Sequence, residues 1–476
     1  MPALLRQPAA GTSAALAARV TASARTASSR MSPDVDAWLE EKRRQPFEST
    51  VIPLEELTEP GGWRFAPGTG NLEHHSGRFF TVEGLHVRTD HGRVGEWWQP
   101  ILVQRDIAIL GVIAKEFDGV LHFLLQAKME PGNTGLVQLS PTVQATSSNY
   151  TRVHRGGRTP YVEYFTEAGR GRVLVDVLQS EQGAWFHLKR NRNIVVEVTG
   201  DVPVGDDFCW LTLGQIRRLL RRRSVVNMDA RTVLGCLPVE APAGAPDGEE
   251  VFDRGPEPCG LHTMTEVLSW FTGRKSAYEL SARLVPMDSL VGWRRESGRI
   301  VPEDGGNLGA VGADFSIVGV RAHARTREVH SWKQPLLAPH GLALAGLVVR
   351  RIGGKLHALV RAEVLPGHRD TVELGPTVRS TADGRGGTPA DPRPEFLDYV
   401  LSARGRVRYD AVQSEEGGRF LHAETRYLVV EADDDFPLRV PPDFAWVTVE
   451  QLLALQRHSY YLGIEARTLL FCLNNL

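Results

Sequence analysis

The chain has 476 residues, 42% hydrophobic and 24% charged, with a formal net charge of -2. No apolar run approaches the roughly 20 residues that cross a bilayer, and a near-neutral balance offers no overall attraction for nucleic acid. A chain this long exceeds one core of ordinary size, so two to three domains are expected.

Residues 1–33 are rich in Ala, Ser, Thr and Arg and contain no acid before Asp34. That composition mimics a transit peptide, fits an upstream start in place of Met31, and is read here as a disordered leader. From Asp34 an amphipathic helix carries Val35, Trp38 and Leu39, and Ile52-Pro53-Leu54 with Leu57 forms a short apolar element. Strands are expected at 79–82 and 85–87 around Gly84, then at 107–113 and 120–126. His74 and His75 precede the first of these and are held in reserve as catalytic candidates.

The most informative stretch is 126–150, QAKMEPGNTGLVQLSPTVQATSSNY. Side chains alternate across a strand, so Gln126, Lys128 and Glu130 share one face while Ala127 and Met129 take the apolar one. After a turn at Pro131-Gly132-Asn133, Thr142, Gln144, Thr146 and Ser148 repeat the alternation. An ordinary hairpin with one solvated face is the bland reading; a polar cleft for a polar ligand is the sharper one, because so many donors and acceptors gain little from burial without partners. Lysine is scarce in this chain, which sets Lys128 apart.

Downstream, 173–177 and 194–198 read as strands flanking Gln179-Ser180-Glu181-Gln182-Gly183. Phe208-Cys209-Trp210 leads into a helix from the N-cap Thr212 through Arg223, whose Arg217, Arg218, Arg221, Arg222 and Arg223 are read as a solvated basic face. A Pro/Gly/Ala-rich linker covers 240–248. The four cysteines, Cys209, Cys236, Cys259 and Cys472, show no CxxC pairing, which argues against a sulfur-bound metal and fits a reducing, cytoplasmic setting.

Beyond the linker the pattern returns. Gln126 matches Arg361 at an offset of 235, Gln179 matches Gln413 at 234, and Asp207 and Ala230 match Asp443 and Ala466 at 236. The chain is a tandem duplication of an α/β (α+β mixed-sheet) unit. At the positions of Lys128 and Glu130 the second repeat carries Glu363 and Leu365, so its polar face is largely dismantled.

The run 126–150, with Thr151-Arg152-Val153-His154 after it, resembles the signature of the NDP-hexose 2,3-dehydratases of deoxysugar biosynthesis, and the likeness extends over nearly the whole chain from around Asp34. The resemblance implies two Nudix-like modules related by a pseudo-twofold axis, 34–238 and 257–476 with a linker at 239–256; the dismantled polar face of the second repeat points to the first as the catalytic one and the second as a structural partner or non-productive nucleotide site. The Nudix box is found in neither repeat, which removes the main equipment for metal-assisted diphosphate hydrolysis. The implied substrate is dTDP-4-keto-6-deoxyglucose, losing water across carbons 2 and 3 without metal or redox cofactor. Implied partners are this dTDP-linked 4-keto-6-deoxyhexose, a second copy in a homodimer, and a downstream 3-ketoreductase; no nucleic acid and no membrane are expected.

Such a reaction needs a base, a donor to the ketone oxygen and an acid for the leaving hydroxyl. Chemistry alone suggests Glu130 as base, Lys128 as donor and Tyr150 as acid or base; a same-face ion pair between Lys128 and Glu130 is the structural alternative. Gln126, Asn133, Gln138, Thr142, Gln144, Ser148 and Asn149 are candidates for sugar and nucleotide contacts, and Arg152 and Arg155 for the diphosphate. A catalytically silent sugar-nucleotide-binding protein and a Nudix-like hydrolase are the competing readings. Ser-His-Asp chemistry, a Rossmann glycine fingerprint and a P-loop are not found.

Overall fold

A computed structural model describes residues 10–59, 61–146, 159–239, 260–303, 314–324, 330–381, 384, 393–402 and 406–474. The duplication appears as two seven-stranded mixed sheets of the same strand order. In the first, Arg172–Ser180, Arg190–Glu197, Ala108–Phe117, Val120–Met129 and Phe208–Thr212 lie side by side. The pair Arg190–Glu197 with Ala108–Phe117 is parallel and the other pairings are antiparallel. In the second, Val407–Ser414, Glu424–Glu431, Ala343–Ile352, Lys355–Glu363 and Phe444–Thr448 repeat that arrangement, again with one parallel pair. No helix among the described residues is long and apolar enough to cross a membrane.

Each repeat gives its first strand to the other. Phe47–Ile52 pairs antiparallel with Phe315–Ala324 of the second repeat, from Phe47 opposite Ala324 to Ile52 opposite Gly319. In return Leu280–Val285 pairs with Thr81–Thr89 of the first, from Leu280 opposite Thr89 to Val285 opposite Gly84. The sequence repeats are therefore not two separately wrapped bodies. A shared core of Leu54, Trp63, Phe80, Phe186, Phe315 and Phe420 fills the join between them. The expected linker lies, from residue 240 on, outside the described residues.

The join is tightened by two glycine turns. The Gly132 N–H donates to Gly417 O at 2.8 Å, and the Gly367 N–H donates to Gly183 O at 2.7 Å. A Cβ on Gly132 would lie 1.8 Å from Phe420 O, and one on Gly367 1.7 Å from Phe186 O, so only glycine allows the backbones to approach this closely. Two fully buried arginines brace the same loops: Arg231 Nη2 donates to Ser414 O at 2.8 Å and Arg467 Nη2 to Ser180 O at 2.6 Å.

Three local expectations are corrected. The leader is not disordered over its described part: Ala10–Arg25 is a helix, with Leu16 and Val20 buried in the first repeat's core. Ser23 Oγ donates to Leu121 O at 2.6 Å and accepts from the Leu213 N–H at 2.9 Å. The helix capped by Thr212 does have the expected N-cap, with Gln215 completing a capping box, but it ends at Leu220 rather than Arg223. Its arginines are also not merely solvated. Arg217 and Arg218 donate to Ala24 O and Ala27 O at the leader helix's end, Arg222 pairs with Asp36, and Arg223 Nε bonds Glu424 Oε1 at 3.0 Å.

Strands 79–82 and 85–87 merge into one, Thr81–Thr89, since Gly84 does not break the pairing. The alternating segment after the turn instead splits in two. Val137–Ser140 pairs with Val120–Met129, whereas Val143–Ala145 pairs with Ala108–Phe117. Pro141 lacks an N–H for the ladder, and Thr142 bridges the change of partner.

Candidate active site

Strand Val120–Met129 positions the site. Leu125, Ala127 and Met129 pack into the helix-covered core, which leaves Gln126 and Lys128 on the opposite face, as the alternation requires. Lys128 Nζ lies 2.9 Å from Glu130 Oε1, and the two side chains are 18% and 11% exposed. Burial of this degree makes the pair much more than a surface ion pair.

Three further carboxyl groups surround that pair. Glu181 comes from the loop after Arg172–Ser180, Glu416 from the matching loop of the second repeat, and Asp229 from the first turn of helix Met228–Gly235. The Glu181 carboxyl is pushed up to about 8, first by burial and then by the negative charge of Glu416; Arg467, Lys189 and the hydrogen bond from Asn191 pull it back. Burial holds Asp229 well above the usual carboxylate range, with Glu416, Glu181 and Glu130 adding to the rise and Lys128 opposing it. Glu416 is raised by burial and by Glu130, against Arg419, Lys189 and Lys128. Lys189, whose Nζ donates to Asp106 O at 2.5 Å, is lowered, mainly by burial.

Like charges this close do not all ionise. Beside the Lys128–Glu130 pair, burial and mutual repulsion shift Glu181, Asp229 and Glu416 toward their protonated forms, which is the equipment of general acid–base catalysis. Among the described residues these acids are not grouped as metal ligands.

The second repeat's counterpart cleft is differently equipped. Glu363, in place of Lys128, accepts from Arg379 Nε at 2.7 Å. The cavity beside it is lined by Gln99, Trp185, Arg379, Glu415 and Glu465, with no lysine among its lining residues.

Of the candidates named from sequence, Lys128 and Glu130 meet, and Gln126 is half-buried on the same strand between Ser140 and Phe208. Gln144 is half-buried and accepts from Asn227 Nδ2 at 3.3 Å. Three others are engaged elsewhere. Asn133 Nδ2 donates to Leu136 O at 2.9 Å inside its own turn, and Thr142 Oγ1 donates to Leu124 O while accepting from the Ile113 N–H. Gln138 is 1% exposed, donates to Thr134 O and accepts from Ser414 Oγ at 2.8 Å. The polar groups of these three are engaged within the protein. Tyr150, Ser148, Asn149, Arg152 and Arg155 lie outside the described residues. His74 sits in a ring cluster with Trp63 and Phe79, its Nδ1 bonded to Ser76 Oγ.

Glu181, Asp229, Glu416, Lys189 and Arg419 were not singled out from sequence. A signal existed for three of them. QSEQG and QSEEG recur in the two repeats and differ at Gln182 and Glu416, and an acid precedes Ala-Arg-Thr in both repeats, as Asp229 and Glu465.

Comparison with known proteins matches residues 32–237 and 264–473 to a family model described as NDP-hexose 2,3-dehydratase. A protein of Saccharopolyspora spinosa named dTDP-4-dehydro-6-deoxy-alpha-D-glucopyranose 2,3-dehydratase is 46% identical over 470 residues, covering 96% of this chain and 95% of its own length. Proteins of the same name from Amycolatopsis orientalis and Streptomyces violaceoruber are 47% and 46% identical, covering 93% and 92% of this chain and 90% and 96% of their own.

Proposed function

The chain belongs to the NDP-hexose 2,3-dehydratase family, and from that premise we propose that it is a hydro-lyase acting on dTDP-4-keto-6-deoxyglucose. The observation that carries the reading to the residues is the buried Lys128–Glu130 contact beside proton-holding carboxyls. The hydrogen on carbon 3 is acidified by the carbon-4 ketone. Glu130 removes it, Lys128 donates to the ketone oxygen as it becomes an enolate, and the carbon-2 hydroxyl leaves as water. The resulting enol ketonises to a 3,4-diketo-2,6-dideoxy sugar nucleotide, with Tyr150 retained as an acid or base for the later proton transfers. Gln126 and Gln144 bind the sugar, Ser148 and Asn149 the sugar or nucleotide, and Arg152 and Arg155 the diphosphate.

The same reading takes each repeat as a Nudix-like module about a pseudo-twofold axis, with chemistry centred on 34–238 and the second repeat as structural partner or non-productive nucleotide site. The reciprocal exchange of first strands supports that symmetry. The enzyme acts as a cytoplasmic homodimer, and its reactive diketone passes to a reductase that takes the carbon-3 ketone. Incubating the protein with the keto sugar nucleotide and following loss of one water by mass spectrometry tests the function. Release of nucleoside monophosphate that stops in chelator would instead indicate a Nudix-like hydrolase, and tight binding without turnover a silent binding protein.

A further inference from the structure

Glu416 belongs to the second repeat but lies beside Glu130 and Lys128 of the first. Its carboxylate makes no hydrogen bond or ion pair among the described residues, and its side chain is partly buried. A Cβ placed on Gly418 would lie 3.2 Å from Glu416 Oε1 and 3.4 Å from Glu130 Oε2. The two carboxyl groups thus flank one residue that has no side chain to fill the space between them. Lys128, Glu181, Asp229, Lys189 and Arg419 complete the charged surroundings.

The duplication supplies an internal control. The position matching Glu416 in the first repeat is Gln182, whose Nε2 donates to Glu415 Oε2 at 2.8 Å and to Met228 Sδ at 3.1 Å. One repeat therefore has an amide that is tied down, and the other an acid that is not. Lys128 against Glu363 and Glu130 against Leu365 are two further such differences, and Lys128, Glu130 and Glu416 lie together.

We propose that Glu416 is the catalytic acid that protonates the carbon-2 hydroxyl as it leaves. The proposal rests on the dehydratase reading given above. Glu130 takes the carbon-3 proton, and the electron pair moves to the carbon-4 oxygen. Its return forms the C2–C3 double bond and breaks the C2–O bond, whose pair leaves with the oxygen; that oxygen takes the Glu416 proton and departs as water. Glu130 has then gained one proton and Glu416 has lost one. Ketonisation adds a proton at carbon 2 and releases one from the carbon-3 oxygen, which returns both carboxyls to their starting states. Burial and the nearby Glu130 charge favour the protonated form that this role requires.

The test uses the full chain with Glu416→Gln, Glu416→Asp and Glu130→Gln. Two events are followed on the keto sugar nucleotide in deuterated water: exchange of the carbon-3 hydrogen and loss of water. Glu416→Gln should slow water loss by about a hundred- to ten-thousand-fold while leaving carbon-3 exchange within a few-fold of the parent. Glu416→Asp, which keeps the acid one methylene back, should lose less. Since Glu416 makes no hydrogen bond or ion pair among the described residues, Glu416→Gln should melt no lower than the parent. Water loss within a few-fold of the parent in Glu416→Gln overturns the proposal, as does a parallel fall of exchange and water loss, which would mark a binding or structural role. Glu130→Gln should abolish both events; persistence of carbon-3 exchange there refutes the underlying assignment of the base, a result separable from any outcome at Glu416.

Discussion

Ser414 Oγ, on the second repeat, donates to Gln138 Oε1 on the first at 2.8 Å, and the matching Ser180 Oγ donates to Glu373 Oε2 at 2.6 Å in the opposite direction. Each repeat thus secures the acid-bearing loop of the other, and the proposed catalytic cleft exists only when both are folded together. The exchanged first strands and the two glycine turns serve the same end.

A first prediction follows from those turns. Gly132→Ala would bring a methyl to 1.8 Å from Phe420 O, and neither backbone can move without opening the join. The expected cost exceeds about 4 kcal/mol, enough to prevent accumulation of folded protein. Gly273→Ala is the control. It lies within helix Met264–Ala277 with nothing within 4 Å of the added methyl, and should stabilise by about 0.5–1 kcal/mol. Denaturant unfolding of both variants checks the contrast.

The leader helix yields a second. Removing residues 1–30 takes away Leu16 and Val20, the Ser23 bonds, and the carbonyls that receive Arg217 and Arg218. The shortened chain should melt several degrees lower, and Leu16→Ala alone should cost about 2–5 kcal/mol. A melting temperature unchanged by the truncation would show that the helix contributes nothing to stability.

Why this helix escaped a reading by composition is instructive. Its Ala/Ser/Thr content is that of a disordered leader, yet Leu16, Val20 and Ser23 fall at i, i+4 and i+7, one helical stripe. The duplication, the Thr212 N-cap and the two faces of Val120–Met129 were legible because they depend on local spacing. Strand exchange was not, since nothing local marks Phe47–Ile52 as a partner of Phe315–Ala324. The polarity of Asn133, Gln138 and Thr142 was real but is consumed inside the molecule. A buried polar residue in a duplicated protein can bond to the other copy as readily as to a ligand. Glu416 stands 286 residues from Glu130, and only the Gln182-to-Glu416 difference between matched motifs hints at it.

The third prediction concerns pH. Glu181 is 3% exposed; its Oε1 accepts from Asn191 Nδ2 at 2.7 Å while Oε2 has no hydrogen-bond partner. Its carboxyl rises from the ordinary 4.5 to about 8, so the folded state holds a proton that the unfolded chain releases. The resulting stabilisation is full below 4.5 and is lost as pH rises through about 8. Glu465, raised to about 7, and Asp229 act in the same direction. Melting temperature should fall with rising pH across this window, and Glu181→Gln should flatten the slope. A rise in melting temperature with pH over the same window would contradict the assignment.

The central claim is that chemistry occurs at the Lys128–Glu130 cleft and not at its counterpart, and turnover of the keto sugar nucleotide by Glu130→Gln and Glu363→Gln tests it most directly. Glu130→Gln should keep the fold and lose about a hundred- to ten-thousand-fold in water elimination. Glu363→Gln loosens the buried contact with Arg379 and should melt lower, yet turn over within a few-fold of the parent per folded molecule. A damaging Glu363→Gln beside a tolerated Glu130→Gln would place the reaction in the other cleft.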